Sequence, residues 1–240
     1  MRGPFLIGGG HMSNSKLISA SIPSPNHSGR RTHAIDRITP HCMVGQMTAA
    51  ACGNLFARAS YQASSNYGIG KDGEIALYVD ESKRSWCSSS ESNDQRAVTI
   101  ECASDTRHPY AMNAKVYASL VRLCVDICKR NGKKKLIWFG DKTKTLNYSP
   151  KSDEMVLTVH RWFAQKSCPG DWLYSRLGDL AKQVTARLAD APETAQEPAH
   201  KPATGKLYKV QCGAFASEAN AQKRVDALKN AGFDAVIVEG

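Results

Sequence analysis

The stretch TVHRWFAQKSCPGDW, residues 158–172, closes an apolar strand-like run and opens into a helix start. Between them lie an imidazole, an amine and a thiol: His160, Lys166 and Cys168, with histidine and cysteine eight positions apart. Imidazole and thiolate are both metal-ligand types, but two ligands do not make a site. A metal centre here needs a third donor from elsewhere in the chain.

The chain has 240 residues, 42 % of them hydrophobic, enough for one large domain and a smaller unit. No run approaches the eighteen or so apolar residues of a membrane span, and mean hydropathy is −0.40. The start, MRGPFLIGGGHMS (residues 1–13), reads as an expression scar rather than a secretory signal. Formal charge is +10. Residues 206–240 carry five basic and four acidic side chains, so almost all of that excess sits on the larger part. A basic body implies a polyanionic setting such as nucleic acid, anionic membrane or anionic bacterial wall. The clusters GRR (29–31) and KKK (133–135) lack the interleaved aromatics of a single-strand nucleic-acid surface. The eight cysteines form no Cys-x-x-Cys pair, which argues against a zinc ribbon or thioredoxin-like centre. Most read as buried reduced thiols. Cys168 differs, because it lies in a polar loop beside Pro169 and Gly170.

Along the chain, residues 14–33 are rich in Ser, Pro, Asn, Gly and Arg and read as surface loop. IDRIT (35–39) alternates as a strand does and ends at Pro40 and His41. Thr48 caps a helix over 49–59. NYGIGKDGEIALYV (66–79) reads as a hairpin turning at Lys71-Asp72-Gly73. AVTIECA (97–103) is a strand. Residues 114–132 form an amphipathic helix with Val116, Leu120, Leu123, Cys124 and Ile127 on one face and Gly132 as its stop. LIWF (136–139) and MVLTVH (155–160) are strands, the second delivering His160. Residues 170–188 read as one helix with Leu173, Leu177, Leu180, Val184 and Leu188 inward. Residues 190–205, with Pro192, Pro198 and Pro202, are a semi-extended linker. Residues 206–240 follow as strand, helix and strand. The fold class is therefore α/β: a central mixed sheet flanked by helices over 14–189, plus a small C-terminal β-α-β unit.

His41 and His160 both end predicted strands. If those strands are neighbours, the two imidazoles project from the same sheet edge, and Cys168 folds back from its loop to meet them. Two imidazoles and a thiolate leave one position open, the donor set of a catalytic zinc. His27 and His33 are rival ligands on spacing alone.

These residues also carry a resemblance. ITPHCMVG (38–45), the YGIGKDGEI turn (67–75), NDQRAVTIECA (93–103) and HRWFAQKSCPGD (160–171) together resemble the zinc-dependent N-acetylmuramoyl-L-alanine amidases, the family shared by phage lysins and peptidoglycan recognition proteins. The resemblance implies His41, His160 and Cys168 as ligands of Zn2+, Lys166 as the electrophilic helper at the scissile carbonyl, and Glu101 as general base. It implies an activated water that cleaves the amide between N-acetylmuramic acid and L-alanine. Where many members have a tyrosine, seven residues before the hairpin aspartate, this chain has Ser65, with Tyr67 two further on. Glu101 is then expected to carry the proton transfer alone. Trp86, Trp162 and Trp172 are candidates to line a substrate groove, although core packing is their more ordinary role.

The tail, YKVQCGAFASEANAQKRVDALKNAGFDAVIV (208–238), resembles one half of the sporulation-related SPOR repeat of wall-binding proteins. One half has a small core, so two tails are expected to pair as a homodimer, or the tail to dock on the body. The partner implied is bacterial peptidoglycan, glycan strands and stem peptides together, with neither nucleic acid nor membrane insertion. The leading reading is a phage endolysin made in the infected cytoplasm and acting on the wall. The alternatives are a bacterial autolysin or recycling amidase, and a recognition protein that binds without cutting. Such recognition proteins usually lack the ligand cysteine.

Overall fold

The computed structural model describes residues 14–189, 215, 217–230 and 237. The scar read at 1–13, the linker at 190–205 and the two strands expected around the tail helix lie outside the described residues, as does any pairing through those strands. The chain divides into two units, Met1–Glu193 and Thr194–Gly240. Of the second, a single helix is described, Glu218–Asn230.

The first unit runs β1 (Ala20–Ser21), β2 (His27–Arg30), β3 (Arg37–Cys42), α1 (Ala49–Phe56), β4 (Tyr67–Ile69), β5 (Ile75–Leu77), β6 (Lys83–Ser85), α2 (Glu91–Asp94), β7 (Ala97–Cys102), α3 (Ala114–Arg130), β8 (Lys135–Ile137), α4 (Lys142–Asn147), β9 (Glu154–Leu157), α5 (Asp171–Tyr174) and α6 (Leu177–Ala189). Among the described residues, seven strands form one sheet in the order β1-β5-β4-β7-β3-β9-β8. Only β4 and β5 pair antiparallel within it, so the sheet is mixed and the α/β reading holds. β2 and β6 make a separate antiparallel ribbon.

Successive residues of a strand face opposite ways, which gives this sheet two unlike faces. Ile38 and Cys42 of β3 and Val98, Ile100 and Cys102 of β7 join the apolar core. Against them pack Leu120, Leu123, Cys124 and Ile127 of α3 and Leu177, Leu180 and Val184 of α6. Each such leucine or isoleucine contributes about 1.5–3 kcal/mol by leaving water. α3 holds its place because Asn113 caps it (Val116 N to Asn113 Oδ1, 3.0 Å). Gly132, at φ +66°, turns the chain away at its end.

The alternate residues, Thr39 and His41 of β3 and Thr99 and Glu101 of β7, face the other side. There polar groups satisfy one another, as burial requires. Thr39 Oγ1 lies 2.7 Å from Thr158 Oγ1, Asn93 Nδ2 donates to Thr39 Oγ1 at 3.0 Å, and Thr99 Oγ1 lies 2.7 Å from Ser85 Oγ. This polar face is the floor of the candidate site.

Four expectations are corrected. Residues 14–33 are largely exposed, as expected, but they are not all loop. β1 adds to the sheet beside β5, Ser15 N donates to the Tyr67 hydroxyl at 2.8 Å, and Ser24 and Asn26 are buried. The Arg31 guanidinium, also buried, donates to the carbonyls of Glu81 (2.6 Å), Ala97 (2.8 Å) and Asp94. Small polar residues signal irregular backbone, but here they also satisfy buried carbonyls. β3 runs on through Pro40 to Cys42, so His41 lies within the strand. Pro40 forfeits nothing, because the missing N–H faces β9, whose bonding to β3 ends at Thr158 N–Ile38 O (3.1 Å). β9 stops at Leu157, and His160 opens a one-turn 3-10 helix, His160–Trp162. The helix expected over 170–188 is two helices, tightened at an Arg176 N–Leu173 O bond of 2.9 Å with no proline or glycine to mark it. Leu173 and Leu177 stay fully buried on either side.

Candidate metal centre

β3 and β7 pair in parallel with His41 opposite Glu101, so imidazole and carboxyl stand side by side at the C-terminal ends of the strands. The chain leaving β9 supplies the other two groups. The His160 ring lies 5.1 Å from that of His41, centroid to centroid. The following loop is closed by Arg161 N donating to Cys168 O at 3.0 Å, and by Arg161 Nη1 to Asp171 Oδ1 at 2.9 Å. That closure places Cys168 Sγ 3.2 Å from His41 Nδ1. One ligand atom each from His41, His160 and Cys168 falls within 4.8 Å of the others. The three residues singled out from sequence therefore meet, whereas His27 and His33 are engaged elsewhere, with Gly29 N (3.0 Å) and Thr32 Oγ1 (2.9 Å).

The electrostatics suit a cation. Burial, then the charge of His160, pushes the His41 imidazolium pKa well down. His160 is lowered by its own burial and then by the Lys166 ammonium. Both rings are thus neutral and able to ligate at pH 7. Burial, then the neighbouring Cys42, pushes the Cys168 thiol well up, a preference that a divalent cation reverses. Burial alone raises Glu101 to about 7. Among the described residues, His41 Nε2 and Glu101 Oε2 are buried polar atoms with no hydrogen-bond partner. Two neutral imidazoles, a thiol and unsatisfied buried polar atoms fit a borderline-soft divalent ion such as zinc.

Glu101 is not tied up by Arg96, which instead clamps Asp36 (Nε to Oδ1, 2.8 Å). Glu101 Oε1 instead lies 4.0 Å from Nδ1 of the neutral His41 ring. Lys166 is exposed in the loop, close enough for its charge to be felt at His160. Neither Ser65, at the family's tyrosine position, nor Tyr67 takes part: Ser65 Oγ donates to Tyr67 O (2.7 Å), and the buried Tyr67 hydroxyl donates to Glu81 Oε1 (2.5 Å). The phenol beside Glu101 is Tyr78. It fills the space over Gly68, the register partner of Glu101, where a Cβ would meet its oxygen at 2.0 Å. Its hydroxyl is spent on Ala49 O at 2.6 Å. Of the three tryptophans, Trp162 stacks on Trp138 at 5.1 Å, Trp172 packs edge-on against Tyr117, and Trp86 Nε1 donates to Ser28 Oγ.

Two neighbours carried no sequence signal. Ser89 Oγ lies 2.9 Å from His160 Nε2. Cys87 forms a second group of possible metal ligands with His41 and Glu101. A cleft of about 610 Å³ opens beside Ser89, lined also by Arg37, Arg96, Lys142 and Trp162.

Residues 31–171 match the sequence model of the N-acetylmuramoyl-L-alanine amidase family, Amidase_2. The chain belongs to that family. An amidase of this family is a peptidoglycan hydrolase that acts on the cell wall, and the family is typically zinc-dependent. Residues 178–239 match the SPOR domain, a match that begins inside α6. Among solved structures, PlyL is 12 % identical, with 69 % of this chain and 95 % of that chain covered and a TM-score of 0.49. An AmpD selenomethionine derivative is 18 % identical over 70 % and 96 %, TM-score 0.49. The amidase LysCS from Clostridium intestinale URNW is 15 % identical over 72 % and 97 %, TM-score 0.43. No curated protein matches the chain significantly. No helix among the described residues is long and apolar enough to cross a membrane.

Proposed function

We propose that this amidase cleaves the bond between N-acetylmuramic acid and L-alanine with a zinc ion held by His41, His160 and Cys168. The observation that carries the reading is the meeting of these three donors beside a buried carboxyl, in a member of a zinc-hydrolase family. Zinc bound there supplies Lewis acidity and acidifies a water molecule. Glu101 takes the proton of the attacking water and returns it to the departing alanine nitrogen. Burial raises this carboxyl to about 7 without a cation beside it, and a carboxylate next to the activated water can accept and return one proton. The Lys166 ammonium stands on an exposed loop near His160, where it offsets the negative charge that grows on the carbonyl oxygen.

The finer role we attach is that of a lysin acting on intact wall, of the phage endolysin type. The SPOR match supports a wall-directed enzyme, because a binding unit raises the effective concentration of glycan near the catalytic unit. Treated purified walls are expected to lose turbidity and to gain N-terminal alanine without new reducing sugar, and a chelator is expected to stop both until zinc is restored. New reducing ends, or full activity in chelator, contradict the reading.

A further inference from the structure

His41 and Glu101 recur in a second cluster. With Cys87 they offer an imidazole nitrogen, a carboxylate oxygen and a thiol sulfur within 4.8 Å of one another. The two buried polar atoms that lack partners here, His41 Nε2 and Glu101 Oε2, belong to residues of this cluster. Cys87 itself is a half-buried free thiol early in the connection from β6 to α2, its backbone N–H held by Asp94 Oδ2 at 3.0 Å. We propose that Cys87 is an alternative thiolate ligand, so that the centre has two overlapping seats for one thiophilic divalent ion. The first seat is His41, His160 and Cys168; the second is His41, Cys87 and Glu101.

Both seats use His41, so one ion occupies one or the other. The first leaves the carboxylate of Glu101 free. The second binds it, and a carboxylate committed to a cation cannot accept the proton of the attacking water. The second seat is therefore a resting arrangement, and the thiol of Cys87 loses its proton to solvent when the ion settles there. This inference rests on the metal reading proposed above.

The test uses Co2+ as the probe and counts thiolate ligation rather than turnover. The unsubstituted chain binds one Co2+ with thiolate-to-cobalt charge-transfer absorption. Cys168→Ser removes the sulfur of the first seat. It is expected to keep one Co2+ and the charge-transfer band through Cys87, and to lose both only when combined with Cys87→Ala. In Cys168→Ser, Co2+ slows alkylation of Cys87 by iodoacetamide, read by peptide mass. Cys168→Ala is run in parallel, and protection of Cys87 in the unsubstituted chain needs no variant at all. Loss of the band in both Cys168 variants, with Cys87 alkylated at the same rate with and without Co2+ in every chain, overturns the second seat. Failure of the unsubstituted chain to bind Co2+ overturns the metal reading itself, which separates the two failures.

Discussion

Glu101 is the residue on which the proposed chemistry turns. Among the described residues its Oε2 has no hydrogen-bond partner, and burial raises its proton affinity. Glu101→Gln keeps the size and the polarity but cannot carry a proton. The variant is expected to keep one zinc per chain through His41, His160 and Cys168, by elemental analysis, and to lose about 10²–10⁴-fold in kcat on a soluble muropeptide. An unchanged kcat moves the base elsewhere. Lys166 is tested at the same scale. Lys166→Met should lower kcat by on the order of 10²-fold with KM little changed, and Lys166→Arg should recover part of the loss. Equal rates for all three chains would make it an ordinary surface lysine.

At the scale of elements, the centre depends on β3 and β7 keeping register, and that register is held from behind by α3. Arg130 at the end of α3 grips the fully buried Glu81 through its two terminal guanidinium nitrogens, at 2.9 and 2.6 Å, while Tyr67 donates to the same carboxylate. Arg130→Ala leaves Glu81 buried without its ionic partner and should cost about 3–5 kcal/mol in denaturant unfolding. A cost below 1 kcal/mol would show the carboxylate rehydrated or protonated at little expense. α3, α1 with its Thr48 cap, the β4–β5 hairpin and β7 were legible because each signal is local: an apolar stripe, a capping hydroxyl, an Asp-Gly turn, an alternating run. β1, β2 and β6 were not. They are two to four residues long and exist only through partners far along the chain, such as Ala76–Leu77 for β1. The donors His41, His160 and Cys168 could be named from motif spacing, although the sequence placed both histidines at strand ends. Cys87 and Ser89 could not, since their proximity to His41 and His160 arises from tertiary folding of a serine-rich stretch with no spacing of its own.

For the whole molecule, the boundary between catalytic and wall-binding units matters. The SPOR match begins at residue 178, yet Leu180 and Val184 of α6 are fully buried in the core of the first unit. α6 therefore belongs structurally to the amidase. A chain ending after Ala189 is expected to keep turnover of a soluble muropeptide and to bind walls more weakly in a pelleting assay. A chain ending after Arg176 strips Leu177, Leu180 and Val184 from the core and should not fold, as read by circular dichroism. Equal loss of soluble turnover and wall binding in the first truncation would make the tail structural. The excess positive charge of the larger part suits an anionic wall, so binding of that truncated chain should fall as salt is raised.

The claim beneath all of this is that His41, His160 and Cys168 surround one metal ion. Diffraction from crystals of the zinc-loaded chain, recorded on either side of the zinc absorption edge, tests it most directly. The account predicts an anomalous peak within ligating distance of His41, His160 and Cys168. No peak within reach of all three, whether or not one stands against Cys87 and Glu101, would contradict it.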